Sequence, residues 1–128
     1  MSLAKKLFIP AGIQVPAIRL APDVELDDIH PWSVDFAKAK NLVLEGKSPS
    51  IFVFVENLVE LGLIAEELNE LWEQQLGFWI FFPKKPHLET DLAEEVVRGA
   101  LKSLGATSAP AVEVDANWSC MYFKNGTK

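Results

Sequence analysis

Among the 128 residues there is one cysteine, Cys120, so no internal disulfide can form, and the chain fits a reducing compartment. Histidine is almost as scarce. His30, His87 and Cys120 show no metal-ligand spacing, and no zinc site is expected. A nucleophilic serine or cysteine needs a positioned base, but His30 lies in an irregular stretch and His87 stands beside Pro86, so no catalytic signature emerges. Long apolar runs are missing as well. The longest, Ile51 to Val55 and Phe78 to Pro83, fall far short of the roughly 20 residues that cross a bilayer, and Met1 to Ile13 lacks a signal-peptide core. A cytoplasmic setting without membrane contact is the expectation.

Positive charge is in short supply. Twelve Lys and Arg stand against 18 Asp and Glu, a net charge of −6 that would meet a phosphate backbone with repulsion, so nucleic acid is not an expected partner. Between Lys47 and Lys84 there is no Lys or Arg, while Glu56, Glu60, Glu66, Glu67, Glu70 and Glu73 supply six negative charges. Such a block reads as the solvated face of a helix.

What remains is ample apolar material, 49% of the chain, enough for one domain with a real core over residues 1–128. Residues 1–6 are expected to lie outside its ordered part. Val15 to Leu20 reads as a first strand, closed by Ala21-Pro22-Asp23, and Asn41 to Glu45 as another before the turn Gly46-Lys47-Ser48-Pro49. The segment from Asp27 to Lys40, broken by Pro31, has poor periodicity beyond a short helix over Val34 to Ala39. Ile51-Phe52-Val53-Phe54-Val55 and Phe78-Trp79-Ile80-Phe81-Phe82 are continuous aromatic and β-branched runs, the pattern of strands buried on both faces. Between them Leu58, Leu61, Ile64, Ala65, Leu68, Leu71, Trp72 and Leu76 recur at helical steps, predicting an amphipathic helix from Asn57 or Gly62 to Gln75 with Gly77 at the C′ position. Asp91 and Glu94 form a capping-box pattern ahead of a second helix carrying Leu92, Val96, Val97, Ala100, Leu101 and Leu104. Ala111 to Val114 and Ser119 to Lys124 then read as an antiparallel pair joined at Asp115-Ala116-Asn117. Strands alternating with amphipathic helices predict a small, doubly wound, mainly parallel α/β sheet with an antiparallel C-terminal strand pair.

Trp79-Ile80-Phe81-Phe82-Pro83-Lys84-Lys85, Thr90-Asp91-Leu92, Val97-Arg98, Val114-Asp115 and Trp118-Ser119 with Phe123 resemble a bacterial family of short proteins of unknown function. Members of that family resemble a trimmed, Rossmann-like methyltransferase domain. The similarity runs from Leu7 to Phe123, and departs in having one glycine, Gly77, where a pair is common, and Cys120 where a glycine usually follows Trp-Ser. The resemblance implies an architecture and no established reaction.

S-adenosylmethionine binding on such a fold normally uses a glycine-rich turn after the first strand, and the corresponding Ala21-Pro22-Asp23-Val24 has no glycine and a proline without N–H. No cofactor is therefore expected. Glu45, read as closing the second strand, is the one acidic residue placed to hold ribose hydroxyls. Lys84 and Lys85 leave a buried strand ahead of a helix that starts near Thr90 or Asp91, and Lys84, Lys85 and Thr90 point to an anion or phosphate site at the carboxyl end of the sheet. Glu56 and Asn57 close the strand Ile51 to Val55 at the same edge, Glu56 as a candidate base and Asn57 more naturally as a helix cap. Trp118 and Ser119 offer an aromatic wall and a hydroxyl, with packing the simpler role for Trp118. Trp32, beside Pro31, is the tryptophan best suited to an exposed contact. Two functions follow: a binding module for a small anionic molecule, or a transferase with a divergent S-adenosylmethionine site and Glu56 as base. An open sheet edge would also be covered in a homodimer.

Overall fold

The computed structural model describes residues 12, 14–19, 29–47, 50–73, 76–83, 94–102, 106–108, 112–114 and 118–125. It is a mixed α/β fold. In chain order it runs β1 (Gln14–Ile18), β2 (His30–Ser33), α1 (Phe36–Leu44), β3 (Phe52–Phe54), α2 (Leu58–Leu63), α3 (Ala65–Glu73), β4 (Phe78–Pro83), α4 (Glu94–Lys102), β5 (Ala106–Ser108), β6 (Val112–Glu113) and β7 (Trp118–Asn125). The sheet order is β2-β1-β3-β4-β7-β5, with β6 also paired to β7. The first four of these strands are mutually parallel, and β7 runs antiparallel to β4, β5 and β6. The predicted C-terminal hairpin is present, with Val112 opposite Cys120 and Glu113 opposite Ser119.

The two aromatic runs form the centre because every one of their residues is apolar, so they fill both faces of the sheet. Every residue of β3 and β4 is buried. Ile51, Val53, Val55, Phe78, Ile80 and Phe82 share one face with Met121 and Phe123, and there they meet Ala39, Leu61, Ile64, Leu68, Leu71 and Val97 from the helices. Phe52, Phe54, Trp79 and Phe81 share the other with Val15, Ala17, Ile29, Trp118 and Cys120. Ring contacts of 4.7 Å for Phe52–Phe81 and 4.6 Å for Phe54–Phe81 tie β3 to β4 on that second face, to which no described helix contributes.

Pro16 and Pro31 sit where a missing N–H costs no ladder bond. Val34 N–H donates to the Ala17 carbonyl at 3.1 Å, so Val15 and Ala17 face β2 and Pro16 faces β3. Pairing with β3 begins only at Ala17 opposite Phe52. The same alternation turns Pro31, opposite Val15, to the outer side of the edge strand, where it hinders addition of a further strand.

Several expectations are corrected. The first strand is Gln14–Ile18, and the segment from Asp27 to Lys40 contains β2, which was not expected, and the start of α1, where the short helix expected over Val34 to Ala39 begins at Phe36 and runs on to Leu44. Asn41 to Glu45 is not a strand: Asn41 to Leu44 are the second half of α1 and Glu45 is its C-cap, with Asp35 capping the start of that helix and Gly46 following its end. The Asp35 side chain accepts the Lys38 N–H at 2.8 Å. Gly46, at φ +76°, lets its own N–H reach the Val43 carbonyl at 3.0 Å and that of Lys47 reach Leu42 at 2.8 Å. The long amphipathic helix is two helices meeting at Ile64, although its buried stripe continues unbroken through Leu61, Ile64, Leu68 and Leu71. Gly77 is no helix cap: Leu76 N–H closes the turn on the Leu71 carbonyl at 2.9 Å, and Gly77 keeps a negative φ. Its role is space, since a methyl group there would overlap the phenol of Tyr122. β5 was not anticipated. The Asp91 capping box and residues 1–6 lie outside the described residues.

Candidate functional site

Parallel strands bring their carboxyl ends to one edge, and an antiparallel neighbour brings its start there. At that edge β1 ends at Ile18, β3 passes into Val55 and Glu56, β4 ends at Pro83, and β7 begins at Trp118. Pro83 is opposite Trp118 and Phe82 opposite Ser119. Four of the predicted site residues, Glu56, Asn57, Trp118 and Ser119, therefore share this edge. Lys84, Lys85 and Thr90, as well as the Ala21-Pro22-Asp23-Val24 turn, lie outside the described residues. Strand order reverses here too: from β1 the chain adds β2 on one side and then β3 on the other, and open α/β sheets bind ligands at such a switch point.

The roles of the four differ. Asn57 is the N-cap of α2, its Oδ1 accepting the Glu60 N–H at 2.9 Å, a cap that contributes about 1 kcal/mol. Glu56 is exposed, and its backbone N–H donates to Glu60 Oε1 at 2.8 Å. Trp118 is 1% exposed and packs edge-on against Phe54 at 5.9 Å, which makes it part of the core. Ser119 is half-buried on the adjoining register position.

Two residues of this edge were missed in the sequence. Arg19 directly follows β1 with a left-handed backbone, φ +58°, and its Nη2 lies 3.2 Å from Glu60 Oε2. Glu60 thus receives a backbone N–H from the end of β3 on one oxygen and a guanidinium from the end of β1 on the other. Asn57 and Glu60 have capping-box spacing, which was the available signal for Glu60. For Arg19 no local pattern points to the contact.

The acidic block is only partly a solvated face. Glu66 and Glu73 are exposed, but Glu60 is paired and Glu67 is half-buried, its shielded Oε1 meeting no hydrogen-bond partner among the described residues. Glu67 lines a cavity of about 100 Å³ between α1 and α3 with Phe36, Ala37, Lys40, Glu70 and Leu71, where Lys40 Nζ stands 3.5 Å from Glu70.

Glu45 is removed from the candidate site by the fold itself. It is the C-cap of α1, which returns from the carboxyl edge to the amino edge before β3 begins, and its carboxylate lies 3.3 Å from Lys47 Nζ. Trp32 is half-buried on β2 with Lys38 Nζ 5.1 Å above its ring. Cys120 is fully buried, and loss of solvation pushes its thiol well above the ordinary range, so it behaves as a small apolar group. Among the described residues no three His, Cys, Asp or Glu side chains gather as metal ligands, and no helix is long and apolar enough to cross a membrane. No protein-family model matches the chain, and no curated protein is significantly similar to it.

Proposed function

We propose that this chain is a non-catalytic binding module on a reduced, Rossmann-like fold of the methyltransferase type, and that it takes a small anionic molecule at the carboxyl edge of its sheet. The observation that carries the reading is convergence: the ends of β1, β3 and β4 and the start of β7 meet where strand order reverses. Two lysines, Lys84 and Lys85, follow β4 directly in the sequence, and Thr90 follows them. Four parallel strands with an antiparallel C-terminal pair support the methyltransferase-type reading. Against a transferase stand the missing glycines after β1.

Calorimetric titration with inorganic phosphate tests this reading. The wild-type chain binds saturably, and Lys84→Ala with Lys85→Ala weakens binding by about tenfold or more, equivalent to about 1.4 kcal/mol, at unchanged thermal stability. Unchanged affinity in the double variant, or no binding to the wild type, overturns it. Saturable binding of S-adenosylmethionine would replace it with the transferase reading.

A further inference from the structure

We propose that the Glu60 carboxylate is an internal stand-in for the ligand: it fills an oxyanion cradle at the strand switch point, and a carboxylate- or phosphate-bearing small molecule binds by displacing it. The inference rests on the anion-binding reading above and adds the donors and the competitor. Both oxygens of Glu60 are held, Oε1 by the Glu56 backbone N–H at 2.8 Å and Oε2 by Arg19 Nη2 at 3.2 Å. One fixed backbone N–H plus one guanidinium is a donor set suited to any planar or tetrahedral oxyanion. The two donors come from the ends of β1 and β3, neighbouring strands between which the chain order reverses.

The present occupant can leave without undoing the helix. The cap of α2 is the Asn57 side chain on the Glu60 backbone N–H, so it does not depend on where the Glu60 carboxylate sits. That carboxylate is 22% exposed and the Arg19 side chain 41% exposed, so both are within reach of a solute. Among the described residues Arg19 is paired with Glu60 through one nitrogen, and a guanidinium has five N–H donors, so the rest of its fork can grip a second anion during the exchange. Glu60 therefore sets the threshold for binding: a ligand must outcompete a tethered carboxylate, and a weak monovalent anion will not.

The test is phosphate titration of Glu60→Gln and Arg19→Gln beside the wild type and the Lys84→Ala, Lys85→Ala variant, with succinate in a parallel series to separate phosphate from carboxylate preference. Glutamine keeps an oxygen for the Glu56 N–H and removes the competing charge, so Glu60→Gln tightens binding of the preferred anion by about tenfold, and Arg19→Gln weakens it by a similar factor. Circular dichroism confirms that each variant is folded. If the lysine variant loses phosphate while Arg19→Gln and Glu60→Gln bind like wild type, the edge site stands and the displacement is wrong. Glu60→Gln that lowers thermal stability and leaves affinity unchanged marks a purely structural ion pair and overturns it as well. If no form of the chain binds either anion, both readings fall.

Discussion

Replacing Trp118 by alanine lowers the unfolding free energy by about 3–5 kcal/mol, the range for deleting a buried large aromatic side chain. At 1% exposure the indole contributes almost no accessible surface, and its edge meets Phe54, which itself stacks on Phe81 at the centre of the second face. Val15, Ala17, Phe52 and Cys120 belong to the same cluster, so truncation opens a cavity among groups already fixed by strand pairing. The neighbouring Ser119→Ala, at a half-buried position, changes stability far less. Urea unfolding of the two variants separates the roles. A wall of a ligand site would show the opposite pattern, with Trp118→Ala altering affinity and leaving the midpoint near that of the wild type.

Stability falls in alkaline solution, and Cys120 accounts for a measurable share of the fall. Its thiol titrates near 9.0 in an ordinary environment, and burial raises it well above that in the folded chain. Above about pH 9 the unfolded chain loses this proton while the folded chain keeps it, so fewer protons are bound on unfolding and stability decreases as pH rises. The slope reaches about 1.4 kcal/mol per pH unit for one such group, and the thiol adds no pH dependence below that window. Tyr122, half-buried between Trp79 and Gly77, shifts the same way from 10.0. Denaturant unfolding at a series of pH values from about 8 to 11, on wild type and Cys120→Ala, isolates the thiol as the difference between the two slopes. The slopes differ, and thiol reagents label the native protein only after unfolding. Parallel slopes would show that Cys120 is accessible to solvent in the folded state.

How far the fold can be read from the residues depends on whether the deciding contacts are local. Ile51 to Val55 and Phe78 to Phe82 are legible because strands buried on both faces leave no polar alternation, and the structure buries each of them fully. The hairpin of β6 and β7 is legible from a short polar connection between β-prone runs. Leu42, Val43 and Leu44 look like strand by side-chain type, yet Asp35 before them and left-handed Gly46 after them impose a helix. β2 escapes notice because Pro31 is acceptable only on the outer side of an edge strand, and edge position is a property of the assembled sheet. The site divides in the same way. Asn57 announces itself as a cap, whereas Arg19 and Glu60 meet only because β1 and β3 become neighbours.

The most direct measurement of ligand binding at the carboxyl edge is an amide-resolved NMR titration of the wild-type chain with inorganic phosphate. Shifts that saturate together at Arg19, Glu56, Asn57 and Glu60, with Ala37, Lys40 and Glu70 unmoved, are the expected result. Shifts centred on the cavity between α1 and α3, or none at the ends of β1, β3 and β4 and the start of β7, would contradict it.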